Sequence, residues 1–325
     1  MLSRTAEALF WIGRYAERAE DTARLLDVHF HQIIVDPAVD EGDTCRVVGT
    51  VMGLRQGPAT MREVLDLLAY DGDNPSSIAG SLSAARENAR GVREAVSGEI
   101  WECLNATHLE LPRRVSAARQ FGPAPFFSYV RQRSATLSGY VASTISRDAG
   151  YDFLALGRSL ERADMTARLL AAAIGTPTRG GDHWVTTLRA CSAHEAYLRT
   201  YQRALETRLV LEFLMLDRLF PRSVLHALSV AEEALSRLEP NSGRLGHGDD
   251  ARRLIGRVRT DLEFLSSEQL LEGLPERLQS IQRGVSDVSE SVARRYFGSS
   301  EMVGWSREEA EWSTAGSPGG RGAAP

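Results

Sequence analysis

Apolar residues recur every three or four positions along almost the whole chain, while runs of alternating β-branched and aromatic residues are nearly absent. That pattern specifies an all-α protein, because an apolar face repeating at the helical period is buried only when the segment is a helix. The first such segment follows Ser3. Its stripe is Leu9, Ile12, Ala16, Ala19, Ala23 and Leu26, within about 100° of arc, and its opposite face is densely charged.

Capping and breaking signals place the remaining helices. Between Asp36 and Gly57 the pattern is less regular. Thr60 and Glu63 then form a capping box for a helix through Leu68, and Asp71-Gly72-Asp73-Asn74-Pro75 breaks the chain. Ser76 or Ser77 caps the next helix, predicted to reach about Val96, and a short one carries Trp101 and Leu104. A loop is expected from Pro112 to Pro125. Helices follow at about 126–144 and 146–173, the second closed by Gly175 and Pro177. Beyond Asp182 they are predicted at about 183–201, 206–219, 222–239, 249–267 and 274–297, with a loop at Pro240-Asn241-Ser242-Gly243. The expectation is one all-α domain of about nine to eleven helices over residues 1–297. Residues 298–325, rich in Gly, Ser, Ala and Pro, read as a disordered tail with Trp305 and Trp312 as its anchors.

Composition removes several chemistries. All 38 basic side chains among the 325 residues are arginine; there is no lysine. A phosphate-loop lysine, a Schiff-base lysine and a kinase strand lysine are therefore excluded, so the chain is not expected to activate a nucleotide and no cofactor is expected. With 43 acidic residues the net charge is −5, which gives nonspecific nucleic-acid binding no electrostatic support. No apolar stretch reaches about 18 residues and no cationic leader opens the chain, so no membrane partner and a cytoplasmic location are expected. Cys45, Cys103 and Cys191 form no CxxC pair and read as buried thiols.

No metal is expected. His29 and His31 point about 200° apart on a helix, there is no ExxH, and His194-Glu195 lacks the second histidine of HExxH. Cys191 and His194 are spaced for a thiolate pair, although an unactivated buried thiol is the commoner outcome.

One internal repeat stands out. Gly13-Arg14-Tyr15-Ala16-Glu17-Arg18-Ala19-Glu20-Asp21-Thr22-Ala23-Arg24-Leu25-Leu26 matches Gly157-Arg158-Ser159-Leu160-Glu161-Arg162-Ala163-Asp164-Met165-Thr166-Ala167-Arg168-Leu169-Leu170 at ten of fourteen positions. With a one-residue slip it extends back to Ser3-Arg4 and Ser146-Arg147, predicting two related halves, 1–145 and 146–297. Arg14, Glu17, Arg18 and Arg24, and likewise Arg158, Glu161, Arg162 and Arg168, lie opposite the Leu/Ala stripe. Arginines at i and i+4 repel, so acidic groups or an anionic ligand belong between them, and the planar guanidinium suits a carboxylate or phosphate. Structural ion pairs and a ligand or catalytic role both satisfy this pattern. Arg86, Asn88, Arg90 and Arg93, with Asn74, Ser76 and Ser77 upstream, read either as a second anion pocket or as a capped helix with a solvated face. Phe220-Pro221-Arg222-Ser223 reads as a helix break with Pro near the first turn and Phe220 buried, its Arg222 within reach of the same pocket.

At Glu17-Arg18 and Glu161-Arg162 the sequence resembles the alpha-E family, bacterial all-helical domains with a Glu-Arg motif. The resemblance covers residues 1 to about 297 and includes Met1-Leu2-Ser3-Arg4-Thr5-Ala6-Glu7, Asp73-Asn74-Pro75-Ser76-Ser77-Ile78, Ala84-Ala85-Arg86-Glu87-Asn88-Ala89-Arg90, Glu195-Ala196-Tyr197 and Phe220-Pro221-Arg222-Ser223. It implies a setting of peptide or amide-bond modification, since such domains are typically encoded beside, or fused to, circularly permuted ATP-grasp ligases and transglutaminase-like or peptidase-like proteins. Any such ligase partner would act in trans. Three readings follow. In the first, Arg14, Arg18, Arg158, Arg162, Arg86, Arg90, Asn88 and Arg222 hold an acidic peptide, carboxylate or acyl-phosphate for that partner. In the second, Glu17 or Glu161 is the general base of a stand-alone enzyme forming or hydrolysing amides. In the third, the charges are buried ion pairs of a scaffold.

Overall fold

The structure, a computed structural model, describes residues 1–54, 57–175, 182–239 and 248–297. Among them are thirteen α-helices and no strand: α1 (Ser3–Val35), α2 (Glu41–Met52), α3 (Met61–Leu65), α4 (Ile78–Gly91), α5 (Gly98–Phe121), α6 (Ala124–Thr144), α7 (Ala149–Gly175), α8 (Asp182–Ala190), α9 (His194–Tyr201), α10 (Thr207–Leu216), α11 (Val224–Leu238), α12 (Asp250–Glu263) and α13 (Leu274–Val292). No helix among the described residues is long and apolar enough to cross a membrane. Pro177, the Pro240–Gly243 loop and the 298–325 segment with its two tryptophans lie outside the described residues.

Two helices exceed the expected number, and each has a local cause. Asp40 caps α2 by accepting from the Asp43 N–H, and Gly53 closes it in the left-handed conformation at φ 73°. The span expected at 183–201 is broken at Ser192, whose φ is 54°, and the Ala193 N–H turns back to the Leu188 carbonyl. The loop expected from Pro112 is also corrected, because α5 runs through that proline to Phe121. Pro112 cannot donate to the carbonyl four residues earlier, a cost of about 3 kcal/mol in a helix interior. Burial of Leu104, Leu111 and Ala118, together with the Arg133 bonds to the Cys103 carbonyl and Thr107 hydroxyl, holds α5 on α6 regardless.

Other ends behave as their residues dictate. The Thr60 hydroxyl accepts from the Glu63 N–H, and the Glu63 carboxylate reaches back to the Ala59 N–H. Ser77, not Ser76, caps α4. At α7 the cap is Asp148, two residues later than expected at Ser146, with its carboxylate on the Gly150 N–H.

α1 and α7 form the centre. Each packs on its own set of helices: α1 on α4 and α6, with α5 bridging those two, and α7 on α11 and α13, with α12 bridging those two. The turns leading into α4 and α11 are built alike. Ser77 and Ser223 each cap the helix with the hydroxyl and donate to the carbonyl six residues earlier, Asp71 and Asp217 respectively. α1 and α7 then cross each other at Gly13 and Gly157. A methyl at Gly13 would overlap the Leu154 carbonyl, and one at Gly157 the Phe10 carbonyl, so only glycine allows the backbones this close.

Candidate functional site: the Glu-Arg clasp of α1 and α7

The close crossing puts the charged faces of the two repeated segments against each other. They are not solvated: Arg14, Glu17, Arg18, Glu20, Asp21, Glu161 and Asp164 are all buried. The pairing is reciprocal. The Arg18 Nε donates to Glu161 Oε1 at 2.6 Å, while the Arg162 Nε and Nη2 donate to Glu17 at 2.7 and 2.8 Å. Each Glu-Arg motif thus supplies its glutamate to the arginine of the other helix. One turn further on, Arg24 returns to Glu20 and Arg168 to Asp164 within their own helices, both at i,i+4.

Beyond these pairs the two sides differ. Glu161 also accepts from the Arg14 Nε at 2.8 Å, and Arg14 reaches the Ser289 hydroxyl at 3.2 Å. On the other side Arg158, the counterpart of Arg14, does not reach Glu17. Arg222 occupies that role instead, with Nη1 at 3.0 Å from Glu17, Nη2 donating to Glu20 at 2.8 Å, and a close pair to Asp21. Arg222 comes from the turn before α11. The equivalent position before α4 is Ser76, which is too short for the part.

Electrostatics follow from this geometry. Burial would raise the pKa of Glu17, but the Arg162 and Arg222 guanidiniums outweigh it and hold the carboxyl at about 2. Burial would lower the pKa of Arg18, and Glu161 reverses the direction. Asp21 ends up the other way. Burial pushes it up to about 7, because Arg222 is shared with Glu17 and Glu20, which repel its charge. One of its oxygens, Oδ2, is buried without a partner.

The remaining expected residues are placed elsewhere. Arg86 bonds to Asn105 and Glu87 and lies over Trp101, Arg90 pairs with Glu87, and Asn88 donates to the Ala84 carbonyl. Asn88 also lines a shallow groove of about 290 Å³ with Arg4, Glu7 and Glu87. The second anion pocket does not form, because Ser77 takes the N–H at the start of α4 and the Asn74 amide is spent on the Leu67 carbonyl. Pro221 lies outside α11 rather than in its first turn, with Phe220 half-buried and stacked on Phe213. Cys191 and His194 form no thiolate pair, since burial pushes the thiol up to about 12. All three cysteines are free and buried. Glu20, Asp21 and Thr166, whose hydroxyl donates to the Arg222 carbonyl, join the site without having been singled out from the sequence. A usable signal was present in the parallel between Asp71-x-x-x-Pro75-x-Ser77 and Asp217-x-x-x-Pro221-x-Ser223, which places Arg222 beside the second half of the repeat.

An all-helical protein centred on two Glu-Arg motifs is the class that this fold and site define. The chain belongs to the Alpha-E family, described as a predicted alpha-helical domain with a conserved ER motif, and the family model matches residues 1–297. Similar proteins, each named only as uncharacterized, come from Mycobacterium bovis and from two strains of Mycobacterium tuberculosis; each is 25% identical over 88% of this chain. The chain spans 36% of the length of those relatives. No solved structure matches.

Proposed function

We propose that the chain is a helical accessory subunit of a peptide or amide-bond modifying system, non-catalytic in itself, working with an ATP-grasp-type ligase or transglutaminase-like protein in trans. The observation that carries the non-catalytic part is the fate of the two motif glutamates. Glu161 accepts from Arg14 and Arg18, and Glu17, held at about 2 between Arg162 and Arg222, is a poor general base near neutral pH. The Glu-Arg motifs serve to clasp α1 to α7. In the mycobacterial relatives the matched stretch is a minor part of a longer chain, which suits a module that works beside other domains. Free buried thiols fit a cytoplasmic setting. The similar turns and helix sets favour two related halves, 1–145 and 146–297.

The test is an affinity pull-down of the tagged protein from its native cells, with and without ATP. Recovery of an ATP-grasp or transglutaminase-like protein is expected, and a clean bait would contradict the partner reading. For the stand-alone enzyme, Glu17→Gln and Glu161→Gln variants that fold yet lose turnover without losing partner binding would restore catalysis by this chain.

A further inference from the structure

We propose that Arg158 is the anchor of a carboxylate-binding subsite on the α7 side of the clasp, made by the replacement of its expected partner contact by Arg222. This deepens the accessory-subunit reading and rests on it for the owner of the carboxylate, an acidic or chain-terminal group of a peptide; the subsite itself is a property of this chain.

The inference starts from the broken reciprocity. Arg14 lies over the Phe10 and Trp11 rings and is bonded to Glu161 and Ser289, so its charge is fully used. Arg158 stands at the matching position of the other segment. Among the described residues it has no ion pair and no hydrogen bond, and its Nε is buried without a partner. The residue is half-buried, and its neighbours include a second cation, Arg162. An arginine does not escape such a position by losing its proton. A guanidinium partly stripped of water and beside another cation is stabilised by an anion from outside, and its planar fork fits a carboxylate in two parallel hydrogen bonds.

The charges around it select the class of anion. Arg24, Arg162 and Arg222 pair with Glu17, Glu20 and Asp21, and Arg158, within the electrostatic reach of Glu17 and Glu20 but paired with neither, is the fourth guanidinium against three carboxylates when all are ionised. One negative charge balances the cluster. A phosphate dianion would add a second charge beside Glu17 and Glu20, which are among the groups that act on Arg158. A carboxylate is the better match.

Calorimetric titration of the whole chain at pH 8 and low salt tests this. The titrants are an acetylated, amidated tri-glutamate, an acetylated tri-alanine with a free carboxyl terminus, and inorganic phosphate. At least one of the two peptides is expected to bind more tightly than phosphate, and the stronger peptide identifies a side-chain or terminal carboxylate as the source. Arg158→Gln is expected to weaken that peptide about tenfold or more, while Arg90→Gln, on the exposed face of α4, leaves it within about twofold. As a check that does not depend on one variant, the peptide is expected to raise the melting temperature of the wild type and of Arg90→Gln but not of Arg158→Lys, which keeps the charge and loses the fork. Absence of binding by both peptides, tighter binding of phosphate, or undiminished affinity in a folded Arg158→Gln protein would each overturn the proposal. None of these results depends on the pull-down, so failure of the subsite and failure of the partner reading are separable.

Discussion

Glu17 and Asp21 sit one helical turn apart on α1 and share the Arg222 guanidinium, yet their acidities move in opposite directions. Glu17 also accepts two hydrogen bonds from Arg162, so its folded pKa falls from 4.5 to about 2. Its contribution to stability is present above pH 4.5 and is lost as the pH falls towards 2. Asp21 rises from 3.8 to about 7, so the folded protein holds a proton that the unfolded chain releases. That contribution is complete below 3.8 and disappears as the pH rises through 7. Asp21→Asn is therefore expected to flatten the fall in melting temperature between about pH 5 and 8 and to melt above the wild type at the alkaline end. An unchanged slope would refute the assignment. At Glu161 the expected effect is larger. Glu161→Gln leaves Arg14 and Arg18 buried without their carboxylate, and a loss of about 3–5 kcal/mol in unfolding free energy is expected from denaturant titration. Arg158→Met, which removes an uncompensated charge, is expected to keep or raise the ligand-free melting temperature.

The pairing of α1 with α7 depends on two glycines. Gly157→Ala puts a methyl into the Phe10 carbonyl, and the forced separation of the helices is expected to cost about 1–3 kcal/mol by thermal or denaturant unfolding; the same substitution at Gly91, with open space around it, is expected to be neutral or mildly stabilising. The buried stripe of α1 was legible from spacing alone: Leu9, Ile12, Ala19, Ala23 and Leu26 are buried, and Ala16 is half-buried. What covers the opposite face was not legible, for a physical reason. Periodicity tells which residues share a face, but it does not tell that a second charged face will cover it. Pro112 misled in the same way, since a local break signal carries no knowledge of the contacts that α5 makes with α6.

Over the whole molecule, the repeat in the sequence contains Arg14, Glu17, Arg18, Glu161 and Arg162, which meet at the centre, because both copies carry charge opposite an apolar stripe. What it could not convey was the reciprocity, in which the glutamate of each copy serves the arginine of the other, nor the arrival of Arg222 from a turn some two hundred residues further along the chain. Those relations depend on α1 and α7 crossing at Gly13 and Gly157, a contact between segments whose separation in sequence leaves no local trace. The clasp is tested most directly by a double-mutant cycle on Arg18 and Glu161, using Arg18→Met, Glu161→Gln and the double variant in equilibrium unfolding. A coupling energy of about 1.5–3 kcal/mol is expected for a buried pair of this kind. Additive effects, within about 0.5 kcal/mol, would contradict a Glu-Arg motif that binds one helix to the other.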